Sequence, residues 1–181
     1  AQRAHNRLEA QLARHWPELE GLLKLDSVSL LSLVSEFGSP RAVAADGEAA
    51  RALLAREGGR FLAADKIEAV IDSARTTLGQ PCVDGEARGL QELAKQLLTL
   101  KRQRQRLERA LEAAVERDPQ LSDLRASVGG VTTAVIYAEI GAPRDYPNTR
   151  SYLKALGMNL KERSSGQHKG LLRLTKRGPG N

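Results

Sequence analysis

At 181 residues, with 41% apolar, 28% charged and only 3% aromatic side chains, the chain suits one or two small soluble domains rather than a large enzyme. Six aromatic residues (Trp16, Phe37, Phe61, Tyr137, Tyr146, Tyr152) are too few for the stacking platforms of single-strand nucleic-acid binders, while a net charge of +6 leaves electrostatic binding to a polyanion open. That charge is uneven: eight of the 28 basic residues but one of the 22 acidic ones fall in 150–181, so this segment carries +7 and residues 1–149 carry −1.

A concentrated basic segment with interspersed glycine points to a phosphate-binding surface rather than a solvated tail. A lone Cys82 is expected to exclude a disulfide framework and a thiolate zinc site, and makes a reducing, cytoplasmic compartment the default. No apolar run suits a bilayer span or a secretory leader, so no membrane partner is expected.

In chain order, Leu8 and Leu12 space an amphipathic helix from Arg3 to His15, and Pro17 stops it or begins the next element. A second helix is predicted over Ser27–Glu36, stopped by Phe37-Gly38-Ser39-Pro40, where glycine takes a positive φ and the residue before proline leaves the helical region. Ala42–Ala55 and Asp65–Leu78 read as two further helices. Between Glu86 and Val115, Leu90, Leu93, Leu97, Leu100, Leu107 and Leu111 follow 3,4 spacing with Arg104 in the omitted seam position. The seam predicts a long coiled-coil-like helix, whose partner is either this chain or a second copy docked through 86–115. The cations of Lys101-Arg102-Gln103-Arg104-Gln105-Arg106 suit a solvated outer face or a nucleic-acid contact. Past Asp118-Pro119, helices are predicted over Gln120–Ala126 and Thr132–Ile140. The second is favoured over a strand by i,i+4 apolar spacing despite its β-branched residues. The fold class is therefore all-α: a helical linker (1–85), a long coiled-coil-like helix (86–118) and a compact helix-hairpin-helix-like domain (119–181).

Two short helices joined across Val128-Gly129-Gly130 can aim backbone N–H groups at a phosphate, and glycine there lets a polyanion approach. Ser127 stands where such hairpins usually have their first glycine, and a connection kept only for packing would look the same. Ser164 and Ser165 lie among Arg163, Lys169 and Arg173; a serine nucleophile needs cations to stabilise phosphoryl charge and a base or metal to take its proton. A Ser-Gly stretch is otherwise an ordinary turn. His5, His15 and His168 show no ligand spacing, so no metal site is expected from them. Asp65, Glu68 and Asp72 share a helical face and read as a solvated acidic surface rather than a cation shell.

The run Gly129-Gly130-Val131-Thr132-Thr133-Ala134 through Ala138-Glu139-Ile140-Gly141, then Arg150-Ser151-Tyr152-Leu153, Gly157, Arg163-Ser164-Ser165-Gly166 and Leu174-Thr175-Lys176-Arg177-Gly178, resembles the C-terminal domain of bacterial insertion-sequence transposases of the IS-one-ten and IS-eleven-eleven type. Arg7-Leu8 through Trp16-Pro17 and Phe37-Gly38-Ser39-Pro40 are similar, less specifically, to the helical segment joining the two domains of that family. The resemblance implies a DNA recombinase in which Ser165, or its neighbour Ser164, attacks DNA and forms a phosphoserine link. Arg163, Lys169, Arg173, Lys176 and Arg177 would clamp phosphates, with Gly129, Gly130, Arg150 and Lys161 completing the DNA-binding set. It also implies a structured noncoding guide RNA as a second partner beside double-stranded DNA. The Mg²⁺ would belong to a RuvC-like N-terminal domain whose acidic cluster this sequence lacks, so the chain is expected to be a fragment, without its own cofactor, that does not cut DNA alone. The competing readings are a noncatalytic helix-hairpin-helix DNA-binding module and a coiled-coil interaction protein.

Overall fold

The computed structural model describes residues 2–158 with their side chains, and 160–165 and 168–174 as backbone. It divides into two compact units, Ala1–Arg104 and Gln105–Asn181. The body is all-α, as the 3,4 spacings indicate.

The first unit contains α1 (Gln2–His15), α2 (Glu18–Leu22), α3 (Val28–Phe37), α4 (Pro40–Ala45), α5 (Gly47–Gly58), α6 (Ala64–Thr76) and the beginning of α7 (Asp84–Glu116). Its centre is α3, which buries Leu30, Leu31, Leu33 and Val34, and so is covered around more than the single stripe a surface helix presents. The ends of α3 are set by local chemistry. The Ser27 hydroxyl accepts a hydrogen bond from the Leu30 amide at 3.2 Å, and Gly38, at φ 70°, turns the chain out while its amide donates to the Val34 carbonyl. A side chain at Gly38 would also meet the Ala87 carbonyl at 2.7 Å. The same core takes in Leu8, Leu12 and Trp16 from the α1 end, Val43, Ala50 and Leu54 from α4 and α5, and Ile67, Val70, Ile71 and Ala74 from α6. Leu90, Ala94, Leu97 and Leu98 of α7 belong to it as well.

One predicted helix is two. Ala42–Ala55 breaks at Asp46, whose carboxylate caps α5 by accepting from the Ala49 amide at 3.1 Å; an aspartate beside Gly47 competes with helix continuation through that bond.

The leucine seam also has two fates. Leu90 and Leu97 are core residues of the first unit, whereas Leu100, Leu107 and Leu111 are 50%, 65% and 39% exposed. Lys101 reaches the Asp26 carboxylate at 3.4 Å and Arg102 the Glu57 carboxylate at 3.6 Å, so two cations of the basic run are engaged with acids of the first unit.

The second unit holds the remainder of α7, a 3₁₀ turn (Pro119–Leu121), α8 (Ser122–Val128), α9 (Gly130–Ile140), another 3₁₀ turn (Pro143–Asp145) and α10 (Thr149–Ala155). Among its described residues Val115, Leu121, Thr133, Ala142 and Tyr152 are buried. The sequence periodicities do not announce the antiparallel pair that follows, β1 (Leu160–Ser165) and β2 (His168–Leu174). Six- and seven-residue strands without clean alternation are weak signals beside the helical spacings upstream.

Candidate nucleic-acid interface

The predicted glycine connection lies between α8 and α9. Gly129 adopts φ 84°, ψ 162°, a region that side-chain-bearing residues rarely occupy. Its carbonyl accepts both the amide (3.0 Å) and the hydroxyl (2.8 Å) of buried Thr133, which fixes the first turn of α9. By helix geometry the amides at 130–132 have no acceptor within α9. A Cβ built on Gly129 would meet nothing within 4 Å, so the connection is open on that side. Gly130 differs: a Cβ there would come 2.9 Å from the Glu112 Cγ of α7.

These facts separate the two glycines experimentally. Gly129→Ala is expected to cost about 1–3 kcal/mol through backbone strain alone, read in the unfolding of the second unit. Gly130→Ala should cost less, because the Glu112 side chain can move aside. Equal losses would mean that steric contact, and not φ, governs the turn.

Beyond α9, the Tyr146 hydroxyl donates to the Ile140 carbonyl at 2.6 Å, and its ring meets Tyr152 edge-on with centroids 5.2 Å apart. Asn148 caps α10 by accepting from the Ser151 amide at 2.9 Å. These interactions set α10, on which Arg150 and Lys154 are exposed. Burial pushes the Tyr152 phenol up, with Tyr146 adding to the effect.

Hairpin register decides which tail residues meet. It pairs Lys161 with Arg173, Glu162 with Leu172, Arg163 with Leu171 and, after an irregularity, Ser165 with His168. The two-residue period therefore assigns positions 161, 163, 171 and 173 to one face of the ribbon and 160, 162, 172 and 174 to the other. Three of the predicted phosphate-binding cations, Lys161, Arg163 and Arg173, share a face. Lys169 lies on β2 and Ser164 on β1, while Lys176 and Arg177 lie outside the described residues.

Residues 126–181 match the family described as Transposase IS116/IS110/IS902 family. The chain carries a transposase domain of that family. The matched stretch starts inside α8 and takes in the Gly129 connection, α9, α10 and both strands. The match points to DNA as the partner to test for this domain. Among the curated proteins none matches the chain. Among the described residues no helix is long and apolar enough to cross a membrane.

Outside the transposase domain, two acids of the α6 face, Glu68 and Asp72, are paired with arginines. Arg51 donates to Glu68 through Nε at 2.6 Å and Nη2 at 2.9 Å, and Arg75 to Asp72 at 3.0 Å. The Arg51 bond holds the Glu68 carboxyl below its ordinary range.

Proposed function

We propose that this chain is the DNA-joining part of a serine-nucleophile recombinase that mobilises an insertion sequence, with Ser165 as nucleophile and Ser164 as the alternative. The observation that carries the reading is the family match across 126–181, a stretch that includes Arg163-Ser164-Ser165-Gly166. The hairpin supports it by placing Lys161, Arg163 and Arg173 on one face of the strand pair that contains both serines.

In this reading the serine Oγ attacks the phosphorus of a DNA phosphodiester. An ester bond to serine forms and the bond to one deoxyribose oxygen breaks; a base takes the serine proton, and the departing oxygen takes up a proton from water to leave as a hydroxyl. Negative charge gathers on the phosphoryl oxygens, where guanidinium and ammonium groups stabilise it. Lys169, Lys176 and Arg177 join the clamp, and Arg150 with the Gly129-Gly130 amides holds the flanking backbone. A structured guide RNA is the second polyanion of the reading. Self-association through 86–115 belongs to it as well, supported by the exposed Leu100, Leu107 and Leu111.

Glu68 and Asp72 of α6, paired with Arg51 and Arg75, are not the Mg²⁺ ligands in this reading. We therefore assign the metal-dependent half of the reaction to a RuvC-like domain.

The test joins this chain to the coding sequence around it and incubates the product with the element's DNA, its RNA and Mg²⁺. A covalent protein–DNA adduct mapped to Ser165, lost in Ser165→Ala and kept in Ser164→Ala, is expected. Intact DNA binding without any adduct would remove the catalytic assignment and leave the noncatalytic binding module.

A further inference from the structure

Two stretches of the first unit converge where α1 ends, bringing His15 to Cys82 and, four residues on in the first turn of α7, Glu86. One donor atom from each (an imidazole nitrogen, Sγ and a carboxylate oxygen) lies within 4.8 Å of the other two. Spacing along the chain gives no sign that His15 joins Cys82 and Glu86, because 66 residues lie between His15 and Cys82.

The histidine is prepared for a ligand. Its ring is wholly buried, and Nδ1 lies 2.9 Å from the Gln80 carbonyl oxygen. A carbonyl only accepts, so Nδ1 carries the hydrogen, and Nε2 is the nitrogen left to take a ligand. That Nε2 has no hydrogen-bond partner. Glu86 Oε2 stands 3.7 Å from it, too far for a hydrogen bond. A buried acceptor left unsatisfied is destabilising, and this one faces a thiol and a carboxylate. The same arrangement, an imidazole held through one nitrogen by a backbone carbonyl with the other bare, is how metal-binding histidines are oriented.

We infer that His15, Cys82 and Glu86 bind a borderline divalent cation of the Zn²⁺ class, with water completing a four-coordinate shell. Tetrahedral Zn²⁺ with bonds of about 2.0–2.3 Å sets its ligand atoms roughly 3.3–3.7 Å apart, so the cluster closes with shifts of about an ångström. The Cys82 and Glu86 side chains, both half-buried, have room for that adjustment. One nitrogen, one sulfur and one oxygen donor suit Zn²⁺ or Co²⁺ and are wrong for Mg²⁺. Arg14 Nη1, 3.3 Å from Glu86 Oε1, holds the oxygen that does not face His15. On binding, a metal–sulfur bond forms, the S–H bond breaks and the proton passes to water. The ion then ties the end of α1 to the start of α7 through the strap between α6 and α7. This inference stands independently of the recombinase reading.

The test uses the whole 181-residue chain with Co²⁺ and Zn²⁺ as probes. One equivalent of Co²⁺ is expected to produce thiolate-to-metal charge-transfer absorption that Zn²⁺ abolishes. Cys82→Ser should remove that band and weaken Zn²⁺ in a chelator competition by about 100-fold or more, and Glu86→Gln by roughly 10- to 100-fold. Unchanged Trp16 fluorescence in both variants shows that the first unit is folded, a check His15 variants do not guarantee. Zn²⁺ should also slow alkylation of Cys82, and a chelator should restore the rate. Absence of the band at one equivalent, or Zn²⁺ affinity unaltered by Cys82→Ser, would overturn the inference.

Discussion

Trp16→Ala is expected to lower the stability of the first unit by about 3–5 kcal/mol, the cost of emptying a buried aromatic site that its surroundings can fill only in part. Trp16 is 2% exposed and belongs to the core cluster with Leu12, Leu19 and Val43. Its indole N–H also donates to the Ser73 hydroxyl at 3.0 Å, and that hydroxyl donates to the Val70 carbonyl at 2.8 Å. Trp16→Phe separates the two contributions: it keeps most of the apolar packing, removes the indole bond, and should cost about 1–2 kcal/mol. Denaturant unfolding followed by far-UV circular dichroism measures both. The protein has one tryptophan, in the first unit, and its three tyrosines, Tyr137, Tyr146 and Tyr152, are all in the second, so their fluorescence follows the units separately. A loss under about 1 kcal/mol in Trp16→Ala would mean that this part of the core is not packed as described.

The second large effect falls on the strap. A Cβ at Gly79 would lie 2.2 Å from the carbonyl oxygen of His15 and 2.3 Å from its carbonyl carbon, both backbone atoms at the end of a helix. Neither can rotate away, so Gly79→Ala must move one chain segment off the other, at about 3 kcal/mol. Two hydrogen bonds would break as the segments part: the one the Gln80 amide donates to the Arg14 carbonyl at 2.9 Å, and the one at the Gln80 carbonyl that orients His15. Gly21→Ala is the matched control, since a Cβ there meets nothing within 4 Å and the position is helical; it should be neutral or slightly stabilising. Comparable destabilisation in the two variants would show that the strap does not lie tightly against α1.

Glu18 adds a pH dependence to the same strap. Its carboxylate accepts from the Leu78 amide at 2.8 Å and the Thr77 hydroxyl at 2.7 Å. Burial alone pushes this carboxyl up, but the two hydrogen bonds outweigh it and hold the group below its ordinary value. A carboxyl depressed on folding contributes stability that is present above its unfolded value and lost as pH falls through its folded one.

The parts of the fold legible in the sequence were those governed by local spacing. Leu8 and Leu12 located α1, Gly38 before Ser39-Pro40 located the end of α3, and the leucine seam located α7 to within two residues at its start. Helix α9 was legible too, because i,i+4 apolar spacing outweighed the β-branching of Val131, Val135 and Ile136. Features set by competition or by distance were not. The break at Asp46 depends on a capping bond that one residue wins over helix continuation. The β1–β2 pair rests on cross-strand partners such as Lys161 and Arg173, which no local period announces. Gly129 was legible as a turn, but its backbone angles, which make glycine necessary whether or not a phosphate approaches, emerge only from the structure. The approach of His15 to Cys82 and Glu86 is a product of the fold.

Helix α7 also bears on how the chain reaches its structure during synthesis. Leu90, Ala94, Leu97 and Leu98 belong to the first unit's core, so everything up to residue 89 emerges from the ribosome with that core still incomplete. Folding proceeds by units as the nascent chain lengthens, and for this unit the committing event is the arrival of a helix whose far end already belongs to the next one. A ribosome stalled shortly before that helix clears the exit tunnel would hold a protease-sensitive chain, and one stalled shortly after would hold a resistant one.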